Sequence, residues 1–204
     1  MPAKKMHNAI LNDHGPDNSP IALLIIDMVS DFQFEDGKKL FANTMKIAKR
    51  VADLRKRAQD AGIPVIFVND NFGKWNRDFG GFVDAVRNDS EEGRKITDIL
   101  APEGDDYFIL KPQRSAFYAT PLDVLLESME AEKLVITGIT TDICVLFTAH
   151  DAHMRGFEVV IPKDCVAAVE TAFHNQAIKF IERVADAKIV TSADVNFKKR
   201  PRRK

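Results

Sequence analysis

The sequence predicts an α/β fold: a three-layer α/β/α sandwich around a doubly wound, mainly parallel sheet of five to six strands. Three observations carry that expectation. Short runs rich in Val, Ile and Leu alternate with longer segments of helical spacing. The runs are apolar at successive positions rather than at every second one, as strands covered on both faces must be. No repeat or linker interrupts the alternation, so it reads as one domain, and 204 residues can bury a core without staples.

Residues 1–19, rich in Asn, Asp, Pro and Gly and without periodicity, read as a flexible arm ahead of a domain spanning 20–197. Residues 21–27 (IALLIID) form the first strand. Residues 42–61 place Ile47, Val51, Leu54 and Ala58 on one helical face, and Gly62 stops the helix. Residues 64–69 (PVIFVN) are a second buried strand. Over 82–100 the pattern weakens, and a helical piece at 82–87 with a loop near Gly93 is expected. Residues 107–110 make the third strand, closed by Lys111 and Pro112. Pro121 suits the first turn of a helix running to 131. The fourth strand, 134–136, is broken by Gly138 and followed by a helix over 142–155. A fifth strand at 158–161, a helix at 171–185 and a sixth strand at 188–190 complete the order.

Composition narrows the class. A hydrophobic share of 45% excludes wholesale disorder. The cysteines, Cys144 and Cys165, are too few for a disulfide scaffold and suit a reducing compartment, so a cytoplasmic location is expected. No apolar stretch approaches the roughly 20 residues needed to span a bilayer, and the opening residues lack the apolar core of a secretory signal. The last seven residues, KKRPRRK (198–204), carry six positive charges, which leaves −7 for the rest of a chain whose net charge is −1. They read as a solvated basic tail, since no aromatic-interleaved basic surface elsewhere supports a nucleic-acid partner.

In open parallel sheets, ligands bind beyond the carboxyl ends of the strands. Asp27 ends the first strand, Lys111 ends the third, and Cys144 follows the fourth, so all three face one rim. Thr140, Thr141 and Asp142 are helix-capping residues. With Thr141 as cap, Cys144 falls at the third helical position, where free N–H groups and the helix dipole favour a thiolate. Each residue alone has a plainer reading: a packing cysteine, a strand-end carboxylate cap, an exposed lysine. Together they supply a nucleophile, an acid and a cation.

Three segments, LLIIDMVSDF around Asp27, ILKPQRSAFYATPLD around Lys111 and VITGITTDICV leading to Cys144, resemble the isochorismatase-like cysteine hydrolases. That superfamily includes nicotinamidases and N-carbamoyl amidohydrolases, and the resemblance covers residues 21–190. It implies Cys144 as nucleophile, Asp27 as general base and Lys111 as the cation of an Asp-Lys-Cys triad. It also implies an oxyanion hole from the N–H groups of Thr140 and Cys144, with a cis peptide at Ile139–Thr140. These roles make physical sense, because a thiol needs a proton acceptor and a tetrahedral oxyanion needs fixed donors. The implied reaction cleaves a small amide, ureide or carbamoyl C–N bond through a thioester on Cys144. A homo-oligomer acting on a small molecule is implied as well, with no nucleic acid or membrane as partner.

One departure stands out. The nicotinamidase branch holds a metal with an Asp-x-His and a further His after the second strand. Here residues 69–76 read NDNFGKWN, with Asp70 in place but Phe72 and Asn76 where imidazoles would stand. No metal and no cofactor are therefore expected. Phe32, Trp75, Phe117 and Tyr118 are expected to wall an apolar pocket, with Gln33, Asn71 and Arg114 as polar contacts. Cys165 reads as buried packing, and His150 and His153 as surface or interface groups. The alternatives are vinyl-ether hydrolysis of an isochorismate-like acid and a binding or regulatory module that has lost turnover. The presence of Asp27, Lys111 and Cys144 together favours the amide hydrolase.

Overall fold

Six apolar residues in succession, Ile21–Ile26, form β1, and every one of them is buried. The computed structural model describes residues 18–71, 78–104 and 106–198. Around β1 the strands run β3-β2-β1-β4-β5-β7, where β2 is Val65–Asp70, β3 Tyr107–Lys111, β4 Lys133–Ile139, β5 Glu158–Pro162 and β7 Lys188–Val190. A two-residue strand, β6 (Val166–Ala167), pairs with the end of β4. All pairings are parallel. The sheet thus has seven strands, β6 being too short to leave a pattern in sequence.

The helices are α1 (Gly37–Asp60), α2 (Phe79–Asp89), α3 (Glu91–Leu100), α4 (Leu122–Ser128), α5 (Leu146–Met154) and α6 (Thr171–Val184). The two-residue period of β1 divides the core between them. Ile21, Leu23 and Ile25 pack under α1, α2 and α3, whereas Ala22, Leu24 and Ile26 pack under α4, α5 and α6. Among the described residues no helix is long and apolar enough to cross a membrane.

Three local expectations are corrected. Gly93 sits inside α3, not in a loop: Ser90 caps that helix, its Oγ accepting the Gly93 N–H at 2.9 Å. Glycine is needed there because a Cβ would lie 2.6 Å from Val86 Cγ1 and 2.7 Å from the Ser30 carbonyl oxygen. Gly138 does not break β4 but lies within it at φ 105°, and a Cβ would stand 2.0 Å from the Ile26 carbonyl oxygen. The expected helix over 142–155 opens instead with a π-helical turn, Thr141–Val145, before α5 begins at Leu146.

From β1 the chain winds outward through β2 to β3 and then returns to β1's other side as β4. That reversal makes the β1–β4 boundary the topological switch point, where a crevice opens at the carboxyl ends.

Candidate active site

Asp27 is the first residue beyond β1 and turns left-handed, at φ 52°. Its Oδ1 accepts the Asp70 N–H at 2.7 Å and its Oδ2 lies 2.9 Å from Lys111 Nζ. Lys111 is the last residue of β3 and is wholly buried. Two strand spacings, about 10 Å, separate β3 from β1, and the long lysine stem helps to bridge them. Its ammonium donates to Cys144 Sγ at 3.5 Å and stands 3.7 Å from Asp70 Oδ2. Asp27, Lys111 and Cys144 thus meet around one nitrogen.

Cys144 is set by an unusual turn. The Ile139–Thr140 peptide is cis. The Thr140 carbonyl then accepts the N–H groups of Ile143, at 3.2 Å, and Val145, at 3.1 Å. The intervening N–H of Cys144 takes no part in that pair, which suits the wider π spacing. Thr141, completely buried, places its hydroxyl 2.9 Å from His174 Nδ1 on α6. Thr140 Oγ1 and Asp142 Oδ1 are buried without a hydrogen-bond partner among the described residues.

Protonation follows from burial and charge. Burial, and then the adjacent Asp27 carboxylate, push the Cys144 thiol up to about 12, against the pull of Lys111. This corrects the expectation that the helix N-terminus would lower it: Cys144 precedes the regular α5, and desolvation dominates. Burial also raises the Asp27 carboxyl above the usual carboxylate range, with Lys111 opposing. For Lys111, burial works against the charge, but Asp27, the Cys144 sulfur and Asp70 outweigh it and raise the ammonium. His174 is lowered by its burial, Asp142 opposing. Lys111 thus keeps its charge and the proton stays on Cys144, whose thiol is hydrogen-bonded to the Asp27 side chain.

The expected pocket aromatics fare differently. Trp75 lies outside the described residues, as do Phe72 and Asn76. Phe117 is buried, its ring 6.0 Å from Phe157 just ahead of β5 and under the Arg155 guanidinium at 4.6 Å. It packs in the core on the α4, α5 and α6 side. Phe32 is also buried, edge-on to Phe41 at 5.5 Å, in the loop that leads to α1. Tyr118 is exposed. Gln33 is tied to the Asp89 carbonyl at 3.0 Å, and the Arg114 guanidinium lies 5.9 Å from the Phe147 ring. Buried Asn71 donates its N–H to the Lys111 carbonyl at 3.1 Å, on the site's border. Cys165 is wholly buried. The brace from His174 escaped sequence reasoning, because nothing in a helical residue at that distance along the chain announces a contact with Thr141.

Asp70 Oδ2 stands 3.7 Å from the Lys111 ammonium, and among the described residues no group of three or more His, Cys, Asp or Glu is placed to hold an ion; the positions of Phe72 and Asn76 lie outside the described residues.

The family model described as "Isochorismatase domain" matches residues 21–194. The isochorismatase family protein YaaI of Bacillus subtilis is 38% identical over 174 residues, spanning 85% of this chain and 95% of its own length. The ureidoacrylate amidohydrolase RutB of Methylorubrum extorquens is 27% identical, spanning 81% of this chain and 77% of RutB. Among solved structures, the N-carbamoylsarcosine amidase of Thermoplasma acidophilum superposes with a TM-score of 0.65 at 26% identity, over 86% of this chain and 98% of that one.

Proposed function

Because the chain belongs to the isochorismatase family, we propose that it is a cysteine hydrolase that cleaves a small amide, ureide or carbamoyl C–N bond through a thioester on Cys144. The observation that carries this reading is the meeting of Asp27, Lys111 and Cys144, at 2.9 and 3.5 Å from the lysine nitrogen. Amidohydrolases among the relatives support the reaction class.

On this reading the substrate carbonyl oxygen lies against the N–H groups of Thr140 and Cys144. The Cys144 proton passes to Asp27 as Sγ attacks the carbonyl carbon, so a free thiolate never has to persist in the buried site. The negative charge moves to the oxygen of the tetrahedral intermediate, which the two N–H groups stabilise. Asp27 returns the proton to the nitrogen, the C–N bond breaks and ammonia or an amine leaves. A water then gives its proton to Asp27 and attacks the thioester, releasing the acid while Sγ recovers a proton. Lys111 stays an ammonium throughout and keeps the shifting negative charge compensated. A carboxyl raised by burial is well matched to both taking and returning a proton.

The test is ammonia release from a panel of small amides, ureido acids, carbamoyl amino acids and nicotinamide, for the wild type and Cys144→Ala. Release from one compound that vanishes in the variant is expected. Release that persists in the variant, or pyruvate from isochorismate with no amide turned over, overturns the reading.

A further inference from the structure

Lys111 Nζ and Cys144 Sγ meet at 3.5 Å, yet the strands that lead to them are not neighbours. β2 and β1 lie between β3 and β4, so three strand spacings, about 14 Å, separate the two backbones. Along the sheet that separation is set in series, through the β3–β2, β2–β1 and β1–β4 pairings. A second connection runs outside the sheet. Four residues past Lys111, the hydroxyl of buried Ser115 donates to Asp151 Oδ2 on α5. One residue later, the Ala116 N–H donates to Thr148 Oγ1 at 3.0 Å, and both of these residues are wholly buried. Thr148 stands four residues past Cys144. Thr148, Asp151 and Arg155 follow one another at helical intervals, so one face of α5 and its C-cap meets the loop. The segment after one triad member is thus fastened directly to the helix after another.

The anchor is itself held. Asp151 Oδ1 accepts from Arg155 Nη1 at 3.0 Å, and Arg155 Nε donates to Asp123 Oδ2 on α4 at 2.8 Å. The same guanidinium lies over the Phe117 ring at 4.6 Å, two residues beyond Ser115. Within the loop, Ser115 Oγ accepts the Phe117 N–H at 3.2 Å, and the Thr120 hydroxyl donates to the Ala116 carbonyl at 2.6 Å. The loop, α4 and α5 are therefore joined in one polar network, and such networks hold their members in a single arrangement when fully paired. What depends on it is a distance. At an effective dielectric constant of about 20, a retreat of the ammonium from 3.5 Å to about 4.5 Å from the sulfur leaves about sixfold less thiolate at a given pH.

We propose that Ser115, Asp151 and Thr148 are positioning residues that hold Lys111 against Cys144 by latching the loop after β3 to α5. The use of the latch in turnover rests on the hydrolase reading above, in which Lys111 compensates the moving negative charge. The latch itself is read on the thiol, without any substrate.

Alkylation of Cys144 by iodoacetamide and by iodoacetate, followed by mass at about pH 9 in the full chain carrying Cys165→Ala, tests this. Only iodoacetate is charged, so the ratio of the two rates reports how near the ammonium stands. Ser115→Ala and Thr148→Val should each slow iodoacetamide by about two- to sixfold and iodoacetate by more, so that the ratio falls. The far-ultraviolet circular dichroism spectrum should not change. Thr148→Ser keeps the hydroxyl that the Ala116 N–H needs and should react as the parent does. Parental rates in both Ser115→Ala and Thr148→Val overturn the proposal. So does an equal loss with the two reagents, which is loosening without movement of the charge, and so does a loss that Thr148→Ser shares. A fall in the ratio while no amide is turned over upholds the latch and sinks the hydrolase reading. An amide turned over by the wild type, with the ratio unmoved in the variants, sinks the latch alone.

Discussion

Replacing Asp27 by asparagine should make Cys144 more acidic while abolishing its usefulness. With the thiol at about 12, only about one site in 10⁴ holds a thiolate at pH 8. Burial is the first cause, and Asp27 is the second. Asp27→Asn removes the second and leaves Lys111 3.5 Å from the sulfur. At an effective dielectric constant of about 20, a unit pair at that distance attracts by about 5 kcal/mol. Asp70, 3.7 Å from the ammonium, keeps it charged. Even a fraction of that attraction, once no longer offset by Asp27, lowers the thiol by at least about one unit, a tenfold gain in thiolate. The same change deletes the proton acceptor, so turnover of any amide hydrolysed by the wild type should fall about 10²- to 10⁴-fold. A titration of thiolate absorbance at about 240 nm reads the first effect when both proteins also carry Cys165→Ala, because Cys165 is raised to about 12 as well and would otherwise titrate with the wild-type Cys144. A Cys144 midpoint unchanged or raised in the variant would refute the assignment of Asp27 as the group that keeps the proton on sulfur.

Three further outcomes are expected. His174→Ala removes the 2.9 Å brace on Thr141 and should slow iodoacetamide alkylation of Cys144 by about three- to tenfold, the worth of one hydrogen bond; His174→Asn should restore most of the rate, and equal rates for all three proteins would show the brace to be idle. Gly138→Ala forces a Cβ to within 2.0 Å of the Ile26 carbonyl oxygen at φ 105° and should cost more than about 3 kcal/mol in urea unfolding, or prevent folding; a loss under about 1 kcal/mol would contradict this strand register. Glu158 accepts from Lys188 at 2.8 Å and Lys133 at 3.2 Å, and although burial opposes them these contacts hold its carboxyl below 4.5. Its stabilisation is therefore complete above that value and is lost as the pH falls through the lower folded value, so Glu158→Gln should cost about 0.5 kcal/mol at pH 7, after solvent screening, and nothing at about pH 2; equal costs at both values in urea unfolding would refute the linkage.

How much of this was legible in the chain depended on how local each cause is. The central strands were, because an unbroken apolar run such as Ile21–Ile26 has few other fates, and the crossover rule then puts Asp27, Lys111 and Cys144 on one rim. Gly93 and Gly138 were misread because both look like breakers, whereas each is glycine for want of room beside Val86 or Ile26, a fact of tertiary packing. The protonation of Cys144 was misread for a similar reason. Its place near a helix start is visible in sequence, but the desolvation and the carboxylate that outweigh the dipole are brought by other strands. Phe117, two residues from buried Ser115 and only six beyond Lys111, looks close to the site in sequence, yet its ring packs against Phe157, just before the amino end of β5.

The bare backbone contact at Gly138 also bears on how such a protein can diverge. β1 and β4 touch there without any side chain between them, one strand ending at Asp27 and the other leading into the turn that carries Cys144. The acid and the thiol are thus mounted on a single stiff frame that no interposed residue can shim wider or narrower. On the proposed hydrolase reading, sequence drift that alters what is bound must then accumulate in the loops above the rim, where it leaves the spacing of Asp27 and Cys144 untouched. On that reading a lineage can explore new substrates from this scaffold while the acid and the thiol keep their separation.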